Sequence, residues 1–108
     1  ALWALGRRDE ALRDLDEAIR GSEPNARLFQ ERASVREALG EMKGAFEDYD
    51  RSLALEPGRA SCHLGRGRVR LALGHPSEAR TDVERAFALA PRNDSVRVRA
   101  QDLILRMQ

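Results

Sequence analysis

The chain has 108 residues, of which 42% are hydrophobic and 34% charged, and its formal net charge is +1. This length allows one domain with a continuous core, while the near-neutral charge gives no overall attraction for nucleic acid or an anionic membrane. No apolar run is long enough to cross a bilayer. Cys62 is the only cysteine, which excludes an internal disulfide and favours a reducing, cytoplasmic compartment.

A period of 34 residues organises the sequence. Leu39-Gly40 falls on Leu73-Gly74 when the chain is shifted forward by one period, and on Leu5-Gly6 when it is shifted back. A fixed period of this length predicts stacked units that share one core. Small residues and prolines recur with the same period, at Ala11/Ala18, Ala45/Ser52, Ala79/Ala86, Pro57 and Pro91.

The predicted elements are all helices. We expect residues 1–5 to be the last turn of a helix that ends at Gly6, because glycine suits the left-handed residue at a helix end. A breaker-rich turn is predicted over 21–25, and Asn93 or Asp94 is the expected N-cap of the last helix. From the apolar spacing, six helices are predicted over 9–20, 25–39, 42–55, 59–73, 76–89 and 95–107.

These features resemble the tetratricopeptide repeat over essentially the whole chain. Phe29 fits the bulky aromatic position of the first helix, and Ala33 and Gly67 fit its small position, although Pro24 lies one residue later than the period predicts. The resemblance implies an all-α fold, a right-handed superhelical solenoid of antiparallel helical hairpins. Its units would be a partial first repeat at 1–25, repeats at 26–59 and 60–93, and a capping or next-repeat helix at 94–108.

Two arginines depart from the commonest pattern of the family. Arg32 and Arg66 occupy a first-helix position that usually holds leucine, while aspartates recur 34 residues apart on the second helices at Asp14, Asp48 and Asp82. We predict partly buried structural ion pairs between Arg32 and Asp48 and between Arg66 and Asp82. The alternative is that the arginine stems pack while the guanidinium groups reach water.

Candidates for catalysis or metal binding are weak. His63 and His75 have no further ligands at metal spacing. Cys62 and His63 are neighbours on a helix, so their side chains point about 100° apart. The stretch Gly65-Arg66-Gly67 lies inside a helix and not between a strand and a helix, where a phosphate-binding loop would lie. We therefore expect no catalysis, no cofactor, no metal and no nucleic acid partner.

The resemblance implies a concave groove lined by the first helix of each hairpin. Its candidate peptide-binding residues are Gln30, Glu31, Ser34, Glu37, Leu64, Arg68, Leu71 and Arg99. Ser61, Gly65, Ser95, Val98 and Asp102 are expected beside them, and Trp3 at the N-terminal end. The acidic end lies near Glu31 and Glu37 and the basic end near Arg68 and Arg99, which favours a peptide with an acidic side. The alternative is that these residues are merely solvated.

One subset of the family clamps the C-terminal carboxylate of chaperones with five residues. At those positions this chain has Gln30, Ser34, Gly65, Ser95 and Arg99, of which only the arginine matches. The comparison argues against a chaperone carboxylate clamp.

The expected function is a non-catalytic protein–protein interaction scaffold that holds a peptide or partner domain in the groove. One alternative is a structural segment that stacks or self-associates through an N-terminal end face bearing Leu2, Leu5, Leu12 and Leu15. Another is a regulatory region of a larger enzyme. Because the chain starts inside a helical pattern, we interpret it as a piece of a longer protein.

Overall fold

The computed structural model describes residues 2–108, with side chains described from residue 6 onward. Regular structure in this stretch is entirely helical, which confirms the predicted all-α class. None of the described helices is long and apolar enough to cross a membrane. The six helices are α1 Leu2–Arg20, α2 Ala26–Ala38, α3 Met42–Leu55, α4 Ala60–Ala72, α5 Pro76–Leu89 and α6 Ser95–Arg106.

Helix α1 corrects one sequence-based expectation. It runs without a break through Gly6, where we predicted a helix end, and Gly6 does not have a positive φ. A turn at Gly6 would break intrahelical hydrogen bonds, and among the described helices α1 packs only against α2. No other packing is therefore gained by bending the chain at Gly6, and the helix continues.

The hairpin turns explain why glycine recurs at the other two positions. Gly40 and Gly74 have φ of 84° and 87°, a left-handed conformation that residues with a Cβ rarely adopt. At each turn the residue after the glycine donates a hydrogen bond back to the end of the helix. The amides of Glu41 and His75 donate to the carbonyls of Arg36 and Arg70 at 2.8 Å. The period thus places the same helix-ending turn in both hairpins.

Side chains cap the starts of two helices. Asn25 Oδ1 accepts a hydrogen bond from the amide of Leu28 at 3.2 Å, which begins α2. Asp94 Oδ1 accepts one from the amide of Val96 at 2.7 Å, so Asp94 and not Asn93 is the N-cap of α6. Both caps satisfy amides that have no partner within the first turn.

The helices form two layers. Each helix contacts the next one along the chain, and in addition α2 contacts α4 and α4 contacts α6. Helices α2, α4 and α6 therefore lie side by side as an inner layer, while α1, α3 and α5 pack outside them. The order is that of stacked antiparallel hairpins, as predicted for a repeat solenoid.

Small residues lie where the two layers approach most closely. Ala33, Ala45 and Ala79 are fully buried. A Cβ added at Gly67 would lie 2.6 Å from Val83 Cγ2 and 3.2 Å from the carbonyl oxygen of Ala79, so α4 and α5 cross at a point that admits only glycine. Close crossings of this kind fix how each hairpin packs.

Candidate interaction surface

Gln30 joins α2 to the start of α4 across the inner layer. Its Nε2 donates to Ser61 Oγ at 2.6 Å, and its Oε1 accepts from Arg59 Nε at 2.8 Å. Arg59 also pairs with Glu56 at 2.9 Å. Gln30 is therefore held in place by two neighbours, and its hydrogen bonds link one hairpin to the next.

Glu37 and Arg68 form the second bridge between α2 and α4. Arg68 Nε and Nη2 donate to the two carboxylate oxygens of Glu37 at 2.8 and 3.2 Å. Tyr49 Oη donates to Glu37 Oε1 at 2.9 Å from the outer layer. The hydrogen bonds to Glu37 raise the pKa of Arg68 above its ordinary value, and burial, with Glu37 beside it, raises the pKa of Tyr49.

Gly65 makes room for this bridge. A Cβ at this position would lie 2.6 Å from Tyr49 Oη, so the tyrosine ring packs directly against the backbone of α4. The predicted acidic and basic ends of the groove thus meet and neutralise each other at Glu37 and Arg68. Arg68, whose side chain is 41% exposed, has its charge already matched.

The two leucines predicted to line the groove have different surroundings. Leu64 is only 3% exposed and belongs to a core cluster with Val83, Ala86 and Ala100, so it does not offer a free surface. The expectation for Leu64 is wrong because Val83 and Ala86 of α5 and Ala100 of α6 pack around it. Leu71 is half-buried and borders an open cleft of about 400 Å³ near the end of α6.

The remaining groove candidates are exposed. Glu31 pairs with Arg27 at 3.4 Å, an exposed pair one helical turn apart. Ser34 and Arg99 are exposed, and within the described part of the chain Arg99 makes no ion pair or hydrogen bond. The side chain of Trp3, expected at the N-terminal end of the groove, lies outside the described residues.

The structure brings together the arginines and aspartates predicted to pair. Arg32 Nε and Nη2 donate to the two oxygens of Asp48 at 2.9 and 2.8 Å, and the Asp48 side chain is fully buried. Arg66 Nη2 lies 2.8 Å from Asp82 Oδ1. The bond to Asp48 is the main reason that the pKa of Arg32 is raised.

These pairs belong to a larger network that the sequence interpretation missed. Arg32 also donates to Asp16 of α1 at 2.9 Å, and Arg66 to Asp50 of α3 at 2.7 Å, so each guanidinium joins two successive hairpins. Asp16 and Asp50 are 34 residues apart, and that recurrence was the available signal. Arg36 and Arg70 are also 34 residues apart, so their recurrence was a signal too. They contact Asp48 and Asp82 at 3.0 and 2.8 Å.

Asp14 lies at the equivalent position in α1 and is exposed. The three aspartates that recur on the second helices are therefore not equivalent in the structure. Burial and arginine contacts distinguish Asp48 and Asp82 from Asp14.

The residues that could suggest catalysis have structural contacts. Cys62 is buried with its Sγ 3.2 Å from Ser52 Oγ, and burial raises the pKa of its thiol. His63 Nε2 donates to the carbonyl oxygen of Pro57 at 2.8 Å. His75 precedes α5 and is exposed. Among the described residues, no group of three histidine, cysteine or acidic side chains could hold a metal ion.

No protein-family model matches the sequence, and no curated protein matches it. Several solved structures are similar to this chain. The first TPR domain of Spaghetti (RPAP3), bound to the HSP90 peptide SRMEEVD, is 27% identical with a TM-score of 0.85, over 97% of this chain and 80% of that one. The Arabidopsis OM64 TPR domain is 24% identical, with a TM-score of 0.82 over 98% and 87% of the two chains.

A third similar structure is the complex of PcrH with the chaperone binding region of PopD. It is 19% identical, with a TM-score of 0.86 over 97% of this chain and 81% of that one. Together these likenesses confirm the fold predicted from the 34-residue period.

Proposed function

We propose that this tetratricopeptide-like chain is a non-catalytic interaction scaffold that binds a peptide or a partner domain along its inner layer. The observation that carries the proposal is the pair of side-chain bridges between α2 and α4, from Gln30 to Ser61 and from Glu37 to Arg68. They hold the inner surface rigid before a ligand arrives, which lowers the entropic cost of binding. The peptide complexes of RPAP3 and PcrH support a scaffold of this kind.

The ligand we propose is acidic near Arg99. Arg68 already bonds to Glu37 and Leu64 is buried, so neither is available as first expected. Arg99 retains an exposed guanidinium that can hold a carboxylate in a bidentate pair. Leu71 and Ser34 would contact less polar parts of the ligand.

We do not extend the HSP90 peptide of the RPAP3 domain to this chain. Of the five clamp positions only Arg99 has the matching residue, and Gly65 is packed against Tyr49. The proposal therefore specifies the inner surface and the acidic character of the ligand, and not a chaperone tail.

Site-specific photo-crosslinking tests the proposal. A photoreactive amino acid at Ser34, exposed on α2, is expected to capture a partner from a lysate, and Arg99→Glu is expected to reduce the capture. The matched control has the same photoreactive group at Glu47, exposed on α3 in the outer layer. Capture at Glu47 alone, or at neither position, would contradict an inner binding surface.

Self-association through α1 is the second candidate function. Helix α1 packs only against α2 among the described helices, and Leu12, Leu15 and Ile19 remain half-buried. A second copy could cover these side chains and bury further apolar surface.

A further inference from the structure

A second cleft lies between α5 and α6, at the C-terminal end of the solenoid. Its volume is about 390 Å³, and it is lined by Phe87, Arg92, Arg97, Val98 and Gln101. The guanidinium of Arg97 lies over the Phe87 ring, with its carbon 4.2 Å from the ring centroid, and its Nη1 donates to the carbonyl of Ala90 at 3.4 Å. The cleft therefore combines an apolar wall with a cation in a fixed orientation.

The positive charge around this cleft is not compensated. Residues 85–108 contain five arginines and two acidic residues. Both acids are in use, because Asp94 caps α6 and Asp102 pairs with Arg106 at 3.1 Å. Within the part of the chain that the structure describes, no acidic side chain pairs with Arg85, Arg92 or Arg99.

The cleft is formed where α6 departs from the 34-residue pattern. Arg97 stands where the earlier repeats have the aromatic rings of Phe29 and His63, and Arg92 where the previous repeat has Gly58. These replacements place an arginine at two positions where the earlier repeats have none.

Gln101 makes a related change. It stands where α2 and α4 have Ala33 and Gly67, the small residues that let a second helix pack closely. A glutamine at that position would overpack such a crossing. This face of α6 is therefore poorly suited to a further hairpin of the same kind and better suited to a different partner.

We propose that this cleft binds an acidic, partly apolar segment of a partner protein, as a second surface beyond the inner layer. A carboxylate of the segment bonds to the guanidinium groups of Arg92 and Arg97. An apolar side chain packs on Phe87 and on Val98, which is 69% exposed. The apolar lining favours a peptide over a nucleic acid, whose phosphates would use only the charge.

Fluorescence anisotropy with two labelled peptides tests the proposal. One peptide alternates glutamate and leucine, and the other has glutamine in place of every glutamate. The wild-type protein is expected to bind the first, more weakly as salt is added, and not the second. Arg92→Glu is expected to weaken binding about tenfold, because it replaces an attraction by a repulsion.

The matched control is Arg85→Glu, the same charge reversal at an exposed arginine of α5 that does not line the cleft. It is expected to change the affinity less than about threefold. Circular dichroism should show equal helix content for both variants. Absence of binding to the wild-type protein, or equal weakening by the two variants, would overturn the assignment of the cleft.

Two other occupants give different results, and either would overturn the proposal. A single-stranded oligonucleotide that binds more tightly than the peptide, and loses affinity in Arg92→Glu, would identify a nucleic acid site. A dimer of the protein alone that Arg92→Glu dissociates would identify a second copy as the occupant. Crosslinking at Ser34 does not depend on these outcomes, so failure here leaves the function proposed for the inner layer to its own test.

Discussion

Asp48 shows how a single carboxylate holds several elements together. It is fully buried, and its two oxygens accept hydrogen bonds from Arg32 and Arg36 of α2 and from Arg51 of its own helix. A buried charge is tolerated only where partners of this kind replace its hydration. Removing the carboxylate would leave Arg32 and Arg36 partly buried with fewer partners.

We predict that Asp48→Ala lowers the free energy of unfolding by about 3 kcal/mol. Asp14→Ala is the matched control, because Asp14 has the same position in the repeat but is exposed. It should change stability by less than about 0.5 kcal/mol. Urea denaturation followed by circular dichroism measures both values, and equal stability of the two variants would show that the Asp48 contacts contribute no net stability.

Two glycines inside helices have opposite surroundings. Gly67 of α4 faces α5, and an added Cβ would lie 2.6 Å from Val83 Cγ2. Gly6 of α1 has no such neighbour within 4 Å. Helix propensity favours alanine at both positions, so only the contact between elements distinguishes them.

We expect Gly67→Ala to destabilise the protein by about 1–3 kcal/mol, because the new methyl group overpacks the crossing of α4 and α5. Gly6→Ala should instead stabilise it by about 0.5–1 kcal/mol, since alanine is the better residue inside a helix. Thermal unfolding of the two variants checks both signs. A loss of stability in Gly6→Ala would mean that the chain turns at Gly6 after all.

The repeat period accounts for what sequence alone could predict at the scale of elements. The period predicted the first and last residues of α3 and α5 correctly, and it predicted that Arg32 pairs with Asp48. Both features lie within one unit and repeat in the next. The prediction for Gly6 was wrong because the Leu-Gly pair is the same at all three positions, whereas the packing beside it is not.

Two contacts between repeats have no such recurrence in the sequence and could not be predicted from it. The bridge from Glu37 to Arg68 and the covering of Leu64 by α6 both depend on how far one hairpin is rotated against the next. That rotation is a property of the packed solenoid and leaves no local pattern in the sequence.

At the scale of the whole molecule, charge is distributed unevenly along the solenoid. Residues 2–25 contain six acidic residues and four arginines, and residues 85–108 contain two acidic residues and five arginines. The middle of the chain is internally paired through the arginine network. Association between molecules would therefore depend on the two ends and on the ionic strength.

The proposed interaction scaffold is expected to be a concentration-independent monomer of 12.1 kDa, because its inner binding surface lies within one copy and needs no second one. Light scattering coupled to size-exclusion chromatography over a range of concentrations measures this mass. Leu12→Glu is the informative variant. A wild-type dimer that this substitution dissociates, with helix content unchanged, would contradict the expectation and favour self-association through α1.

The arginine network joins a 34-residue unit to its two neighbours through different groups, a guanidinium on one side and a carboxylate on the other. The unit 26–59 contributes Arg32 to a carboxylate of the preceding hairpin and Asp50 to a guanidinium of the following one. A tandem duplication of this unit would therefore supply both halves of every new link. This link is not made between α5 and α6, where Ala100 occupies the place of the arginine and Glu84 pairs instead with Arg80.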